Sequence, residues 1–171
     1  MLSEKRVKCK GLYAGTIDIV CGYEDFDCDI AFNEENHQYN DNGEDLVSVT
    51  QLLQDDCYEY VSKDVLEKAA KRGTEIHHEI EMYIKSGIKG TTHEFAEFMR
   101  IYLENEEIFN SKAVMDIKTY NTLSKEALQK VKLQTGLYVK ALRETIGDYE
   151  STIDTYVIWL PKDKKGKLIK I

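Results

Sequence analysis

Between Lys10 and Lys63 the chain has no lysine or arginine, while aspartate and glutamate recur throughout that stretch. No apolar run approaches the ~20 residues that a membrane span needs. The opening, MLSEKRVKCK, also lacks the apolar stretch of a signal peptide, so no membrane partner is expected and the expected compartment is cytoplasmic. Proline occurs once, at Pro161, and glycine ten times, which leaves no low-complexity region and no evident flexible linker. The four cysteines, Cys9, Cys21, Cys28 and Cys57, form no C-x-x-C pair. That spacing argues against a zinc knuckle or a typical iron–sulfur cluster and favours reduced, partly buried thiols.

What is present is the composition of a globular protein. Of the 171 residues, 42% are hydrophobic and 32% charged, enough for one domain with a core of its own but too few for a second enzyme. The net charge of −8 is a poor start for binding nucleic acid. Its distribution is more informative, because the basic residues gather at 5–10, 63–72, 125–143 and 162–170. Segregation of this kind can leave a basic face for phosphates beside an acidic face turned away from them. An acidic surface without any special role would give the same sum.

The periodicities alternate between strand and helix. Residues 12–21, LYAGTIDIVC, are rich in β-formers. Residues 28–49 read as a short antiparallel unit, with Asp41-Asn42-Gly43 as a turn. From Gln51 the pattern becomes helical, and Val65, Leu66, Ala69 and Ala70 share a face that Gly73 is expected to interrupt. Thr74 would cap a second helix burying Ile76, Ile80, Tyr83 and Ile84, ended by Gly87 and Gly90. A third helix is expected over 94–109, then a strand at 113–120, AVMDIKTY. Ser124 would cap a long amphipathic helix to about Glu144, and STIDTYVIWL and GKLIKI close the chain as two strands. The mixture predicts an α/β or α+β fold around one sheet.

Asp116-Ile117-Lys118 places a carboxylate and an ammonium two residues apart on a strand. Period-two alternation sends both to one face and turns Ile117 toward the core. A carboxylate suits a hard divalent cation, and a neighbouring ammonium can neutralise charge developing on a phosphate. Asp18 is another carboxylate among β-formers, between Ile17 and Ile19. Taken alone, a D-x-K is a common surface pair, and a lone aspartate in a strand says little about chemistry.

Three stretches change that weighing: Gly15-Thr16-Ile17-Asp18-Ile19-Val20, Met115-Asp116-Ile117-Lys118-Thr119 and Leu133-Gln134-Thr135-Gly136-Leu137-Tyr138. In succession they resemble motifs of RecB-like nucleases in the PD-(D/E)XK superfamily. His37-Gln38-Tyr39 leading to Ser48-Val49-Thr50-Gln51-Leu52-Leu53, and Ala69-Ala70-Lys71-Arg72-Gly73-Thr74-Glu75-Ile76-His77, resemble phage-type members of that group. The resemblance spans most of residues 11–142. It implies a restriction-endonuclease-like α/β core, a central mixed β-sheet flanked by helices, and a deoxyribonuclease that uses one or two Mg²⁺ or Mn²⁺ ions.

Residue by residue, the resemblance makes Asp18 the first metal-binding aspartate, with Ile17 in place of the usual proline. Asp116 and Lys118 become the acid and lysine of the signature, and Ile117 lends its carbonyl to the metal. His77 becomes the extra histidine ligand, presented from the first turn of a helix. Gln134 and Tyr138, one turn apart, position substrate or the metal shell together with Thr119. Glu81, four residues after His77, is a candidate outer partner of the metal shell, although an ordinary surface glutamate fits there too. A histidine beside His78 could equally be solvated, Gln134 a polar position of an amphipathic helix, and Tyr138 a core aromatic. The implied partner is DNA, as linear duplex ends or single strands, during recombination, repair or phage DNA metabolism. A homo-oligomer or a recombination partner protein is compatible with this. The competing class is a catalytically inactive nuclease-fold module that binds nucleic acid or a protein through its acidic 24–59 stretch.

The motif order departs from the family. The Gly-Thr/His helix usually precedes the first aspartate strand, whereas GTIDIV here comes first and the helical segment separates Asp18 from Asp116. Moving residues 1–26 to between Phe109 and Asn110 would restore the usual order, so segment 1–26 reads as transposed. The expectation is geometric: the strands of Asp18 and Asp116 are neighbours, Phe26 lies close to Asn110, and Met1 lies close to Phe109.

Overall fold

The computed structural model describes residues 5–6, 30–33, 38–41, 43–49 and 62–171. Four short strands form one antiparallel sheet in chain order, β1 (Lys5–Arg6), β2 (Ile30–Asn33), β3 (Gln38–Asp41) and β4 (Glu44–Leu46). The β3–β4 turn forms where the Asn-Gly sequence predicts it. Asp41 pairs with Glu44, Gly43 takes φ +94°, and its N–H donates to Asn40 Oδ1 at 2.7 Å. A side chain at such a φ would be strained, which is why glycine stands there. The strand expected over 12–21, the helix beginning at Gln51 and the Phe26–Asn110 and Met1–Phe109 proximities lie outside the described residues. So does Asp18.

The second half builds a mixed α/β unit from helices α1 (Lys63–Ser86), α2 (His93–Glu104), α3 (Glu106–Phe109) and α4 (Lys125–Ile146) and strands β5 (Ala113–Lys118), β6 (Asp154–Trp159) and β7 (Lys167–Lys170). β5 and β6 run parallel and β7 returns antiparallel, in the order β5-β6-β7. Parallel neighbours need a crossover, and α4 supplies it, packing on β5 and β6. No helix among the described residues is long and apolar enough to cross a membrane.

Two helix boundaries differ from the sequence expectation. Gly73 does not break the helix: α1 runs 24 residues straight through it. Thr74 is therefore no N-cap, and its Oγ1 donates back to the Ala70 carbonyl at 3.1 Å. An interior glycine costs only about 1 kcal/mol of helix propensity, which tertiary packing outweighs. A Cβ at position 73 would stand 3.4 Å from Thr119 Oγ1, an ordinary contact, so the site has room for a small side chain only. In the second case, the helix expected over 94–109 divides at Asn105 into α2 and α3. The other termini follow local chemistry. Thr92 and Ser124 accept from the N–H groups of Phe95 and Ala127, and Gly87 and Gly147 end α1 and α4 in the left-handed region.

The core lies on one face of the β5-β6-β7 sheet. Ile76 and Ile80 of α1 and Phe95, Phe98 and Ile101 of α2 meet Met115 and Ile117 of β5, Tyr156 and Ile158 of β6, and Leu160. The spacings are those of one helical stripe and of alternate strand residues. Alternation then obliges Asp116, Lys118, Val157 and Trp159 to point to the opposite face, where α4 lies with Val131 and Thr135 fully buried.

Candidate active site

Asp116 and Lys118 share a face at the C-terminal end of β5, as their spacing predicts. Lys118 Nζ stands 3.0 Å from Asp116 Oδ2, and it donates to Gln134 Oε1 of α4 at 2.9 Å. Gln134 Nε2 in turn donates to the Tyr138 hydroxyl at 2.6 Å. The result is a continuous polar chain from the sheet to the crossover helix: Asp116, Lys118, Gln134, Tyr138. Gln134 and Tyr138 are only partly buried, whereas Val131 and Thr135 of that helix are fully buried.

Asp116 is 3% exposed, and its Oδ2 has no hydrogen-bond donor among the described residues. Lys118 Nζ, 3.0 Å away, is the ion-pair partner of that oxygen. A buried carboxylate costs free energy unless it is paired, and the Lys118 ammonium supplies that pairing. Burial works against the Lys118 ammonium, yet the Asp116 carboxylate, with the Tyr120 and Tyr138 phenols, outweighs it and raises the pKa above the ordinary lysine value. The lysine is therefore charged at neutral pH. Burial raises the Tyr138 phenol as well, which keeps it neutral and able to accept from Gln134.

His77 reaches the same place from α1. Its ring is in hydrogen-bond contact with the Ile117 carbonyl and within electrostatic reach of Asp116, Lys118 and Glu81. It comes from the interior of the 24-residue helix, not from a first turn, which fixes its backbone more firmly than an end would. Burial lowers its pKa, opposed by Asp116 and reinforced by Lys118, so the imidazole is neutral near pH 7. A neutral imidazole has a lone pair to offer a metal. Ile117 combines two roles, with its side chain in the core and its carbonyl turned to His77.

The remaining candidates divide. Glu81 is half-exposed and pairs with Lys85 on its own helix, reaching His77 only through its field. Thr119 turns its hydroxyl toward Gly73 of α1, and its carbonyl accepts from Arg72 Nη2. Asp18 lies outside the described residues. Among the described residues there is no group of three His, Cys, Asp or Glu that could hold a metal ion. Asp116, His77 and the Ile117 carbonyl supply two side chains and one backbone oxygen, a donor set that fits Mg²⁺ or Mn²⁺ if a further carboxylate joins it.

Arg72 is the residue that reading the sequence missed. Besides Thr119 it donates to Asn121 Oδ1 at 3.1 Å and lies 3.7 Å from the buried Glu94 of α2. It thereby ties the helix carrying His77 to the end of the strand carrying Lys118. The only signal in the sequence was its place directly before Gly73-Thr74. Comparison with protein-family models, with curated proteins and with solved structures finds no match for this chain.

Proposed function

We propose that this chain is a metal-dependent deoxyribonuclease of the PD-(D/E)XK superfamily, of the RecB-like branch, with a restriction-endonuclease-like core. The observation that supports this reading most is the meeting of Asp116, Lys118, His77, Gln134 and Tyr138 in one polar cluster that includes a buried carboxylate. These residues come from three elements, and a surface D-x-K pair would need none of the others. Mg²⁺ or Mn²⁺ would be held by Asp116, His77 and the Ile117 carbonyl, with Asp18 as the further carboxylate. When bound, such an ion supplies Lewis-acid charge at a phosphodiester and lowers the pKa of water.

The protein's own groups have separable tasks. Lys118 remains an ammonium and places a positive charge where a phosphate oxygen would gain negative charge. Gln134 holds that ammonium in place, and Tyr138 holds Gln134. His77 stays neutral and keeps a lone pair available beside Asp116. The chemistry is hydrolysis of a phosphodiester, with linear or single-stranded DNA as the substrate class and exonucleolytic cutting as the proposed mode.

An assay on linear duplex, circular duplex and single-stranded DNA with Mg²⁺ or Mn²⁺ tests the proposal. Cleavage should require metal and fall at least ~100-fold in Asp116→Ala and Lys118→Ala. Equal rates in wild type and both variants would reject the assignment of the site. Absence of metal-dependent cleavage of any DNA would favour a binding module that retains the fold.

A further inference from the structure

The catalytic grouping leaves unexplained what stands beside it on the same face of the sheet. Lys118 on β5 is opposite Trp159 on β6, and Trp159 is opposite Lys167 on β7. Residues opposite one another in a sheet point to the same face. Three side chains therefore form a row leading outward from the active centre. Further contacts hold the row together. Trp159 Nε1 donates to the Tyr120 carbonyl at 2.7 Å, and Lys167 Nζ and Lys118 Nζ each lie 6.0 Å from a ring centroid, of Trp159 and Tyr120 respectively. Tyr120 is 41% exposed and Trp159 is partly exposed, so neither ring is spent on the core.

Beyond the row, the β6–β7 connection PKDKKG carries Lys162, Lys164 and Lys165, all exposed, with Asp163 as its single acid. Among the described residues no carboxylate lies within ion-pair distance of these three or of Lys167, whereas Lys170 pairs with Asp154 at 2.7 Å. The connection is also held in place. Gly166 N–H donates to Glu97 Oε2 at 2.7 Å, the Gly166 carbonyl accepts from Arg100 at 2.8 Å, and His93 Nε2 contacts the Lys164 carbonyl at 3.1 Å. In a chain of net charge −8, four lysines without a carboxylate partner among the described residues, on a braced support beside this row, suit an anionic partner.

We propose that this row is the track of a single strand of DNA between the active centre and solvent, with phosphates on the hairpin lysines and an unpaired base against Trp159. A lysine groove interleaved with aromatic faces is the chemistry of single-strand binding, and duplex DNA offers no free base face to stack. The proposal rests on the nuclease reading for its direction, since the row begins at Lys118.

Trp159 is the only tryptophan in the chain, so its emission reports on this surface alone. The full chain is titrated in EDTA with oligothymidylate, following both Trp159 emission and the anisotropy of a labelled oligonucleotide. Both signals should saturate at the same concentration, and a blunt duplex should quench less than the single strand. Replacing Lys162, Lys164, Lys165 and Lys167 together with glutamine should reduce the slope of log affinity against log salt by roughly 0.7 for each phosphate no longer neutralised. Trp159→Ala should weaken binding roughly 10- to 100-fold, and Trp159→Phe, which keeps a ring face, far less. Unchanged emission with the oligonucleotide bound, no binding at all, equal quenching by duplex, or an unchanged salt slope in the lysine variant would each overturn the track. Cleavage with a silent Trp159 rejects the track and leaves the nuclease standing. Quenching without any metal-dependent cleavage rejects the nuclease reading instead.

Discussion

His77 carries a linkage between protonation and folding. Its folded pKa lies below the ordinary 6.5, chiefly through burial, so between those two values the unfolded chain binds the proton and the native chain resists it. The stability it contributes is complete above about pH 6.5 and is lost as pH falls toward the lowered value. Urea midpoints in metal-free buffer from about pH 7.5 to 5 should therefore decline more steeply in wild type than in His77→Gln. Parallel curves would contradict the burial of this imidazole. Lys118 has the opposite sign: its raised pKa keeps the ion pair with Asp116 intact through neutral pH and loosens it only above the ordinary lysine value of 10.5. The Asp116–Lys118 spacing was readable from the sequence, because strand alternation is local. The 3% exposure of Asp116 was not, because it depends on what α4 and α1 place around it.

At the scale of elements, the contact between α1 and the end of β5 decides where His77 stands. Gly73 permits the approach and Arg72 fastens it, through the Thr119 carbonyl and Asn121. A Cβ at 73 meets Thr119 Oγ1 at 3.4 Å, which is ordinary van der Waals contact. Gly73→Ala is thus expected to stabilise the protein by roughly 0.5–1 kcal/mol through helix propensity, with the proposed DNA cleavage little changed. Gly73→Leu cannot fit without displacing Thr119, and it should lower cleavage while the helical circular dichroism persists. Thermal melts and turnover of the two variants check this together, and a fully active Leu variant would show that the close approach is dispensable. The sequence invited the opposite reading, a helix break at Gly73, since a glycine in a periodic pattern is locally a breaker. What overrides it is packing of Ile76 and Ile80 against the sheet, a long-range effect.

For the whole molecule, the net charge bears on the proposed metal. A chain of net charge −8 with a buried carboxylate at the proposed metal site should gain stability from a divalent cation that binds only the folded state. At a concentration about 100 times the dissociation constant, that gain is about 2.7 kcal/mol. For a domain of this size it corresponds to a rise in Tm of roughly 5–10 °C. Mn²⁺ should therefore raise the Tm of wild type and leave that of Asp116→Ala near its metal-free value. Equal shifts in both proteins would place the ion elsewhere.

Local pattern alone determined the hairpin turn at Gly43, the cap at Ser124, the strand 113–118 and the shared face of Asp116 and Lys118. Each depends on neighbours within a few residues, so each can be read without the fold. Tertiary structure decided the continuity of α1 through Gly73, the arrival of His77 at the Ile117 carbonyl, the bridge made by Arg72 and the alignment of Lys118, Trp159 and Lys167. These depend on parts of the chain far apart in sequence, and no spacing encodes them, because parallel pairing and helix docking are settled by which apolar faces can be buried together.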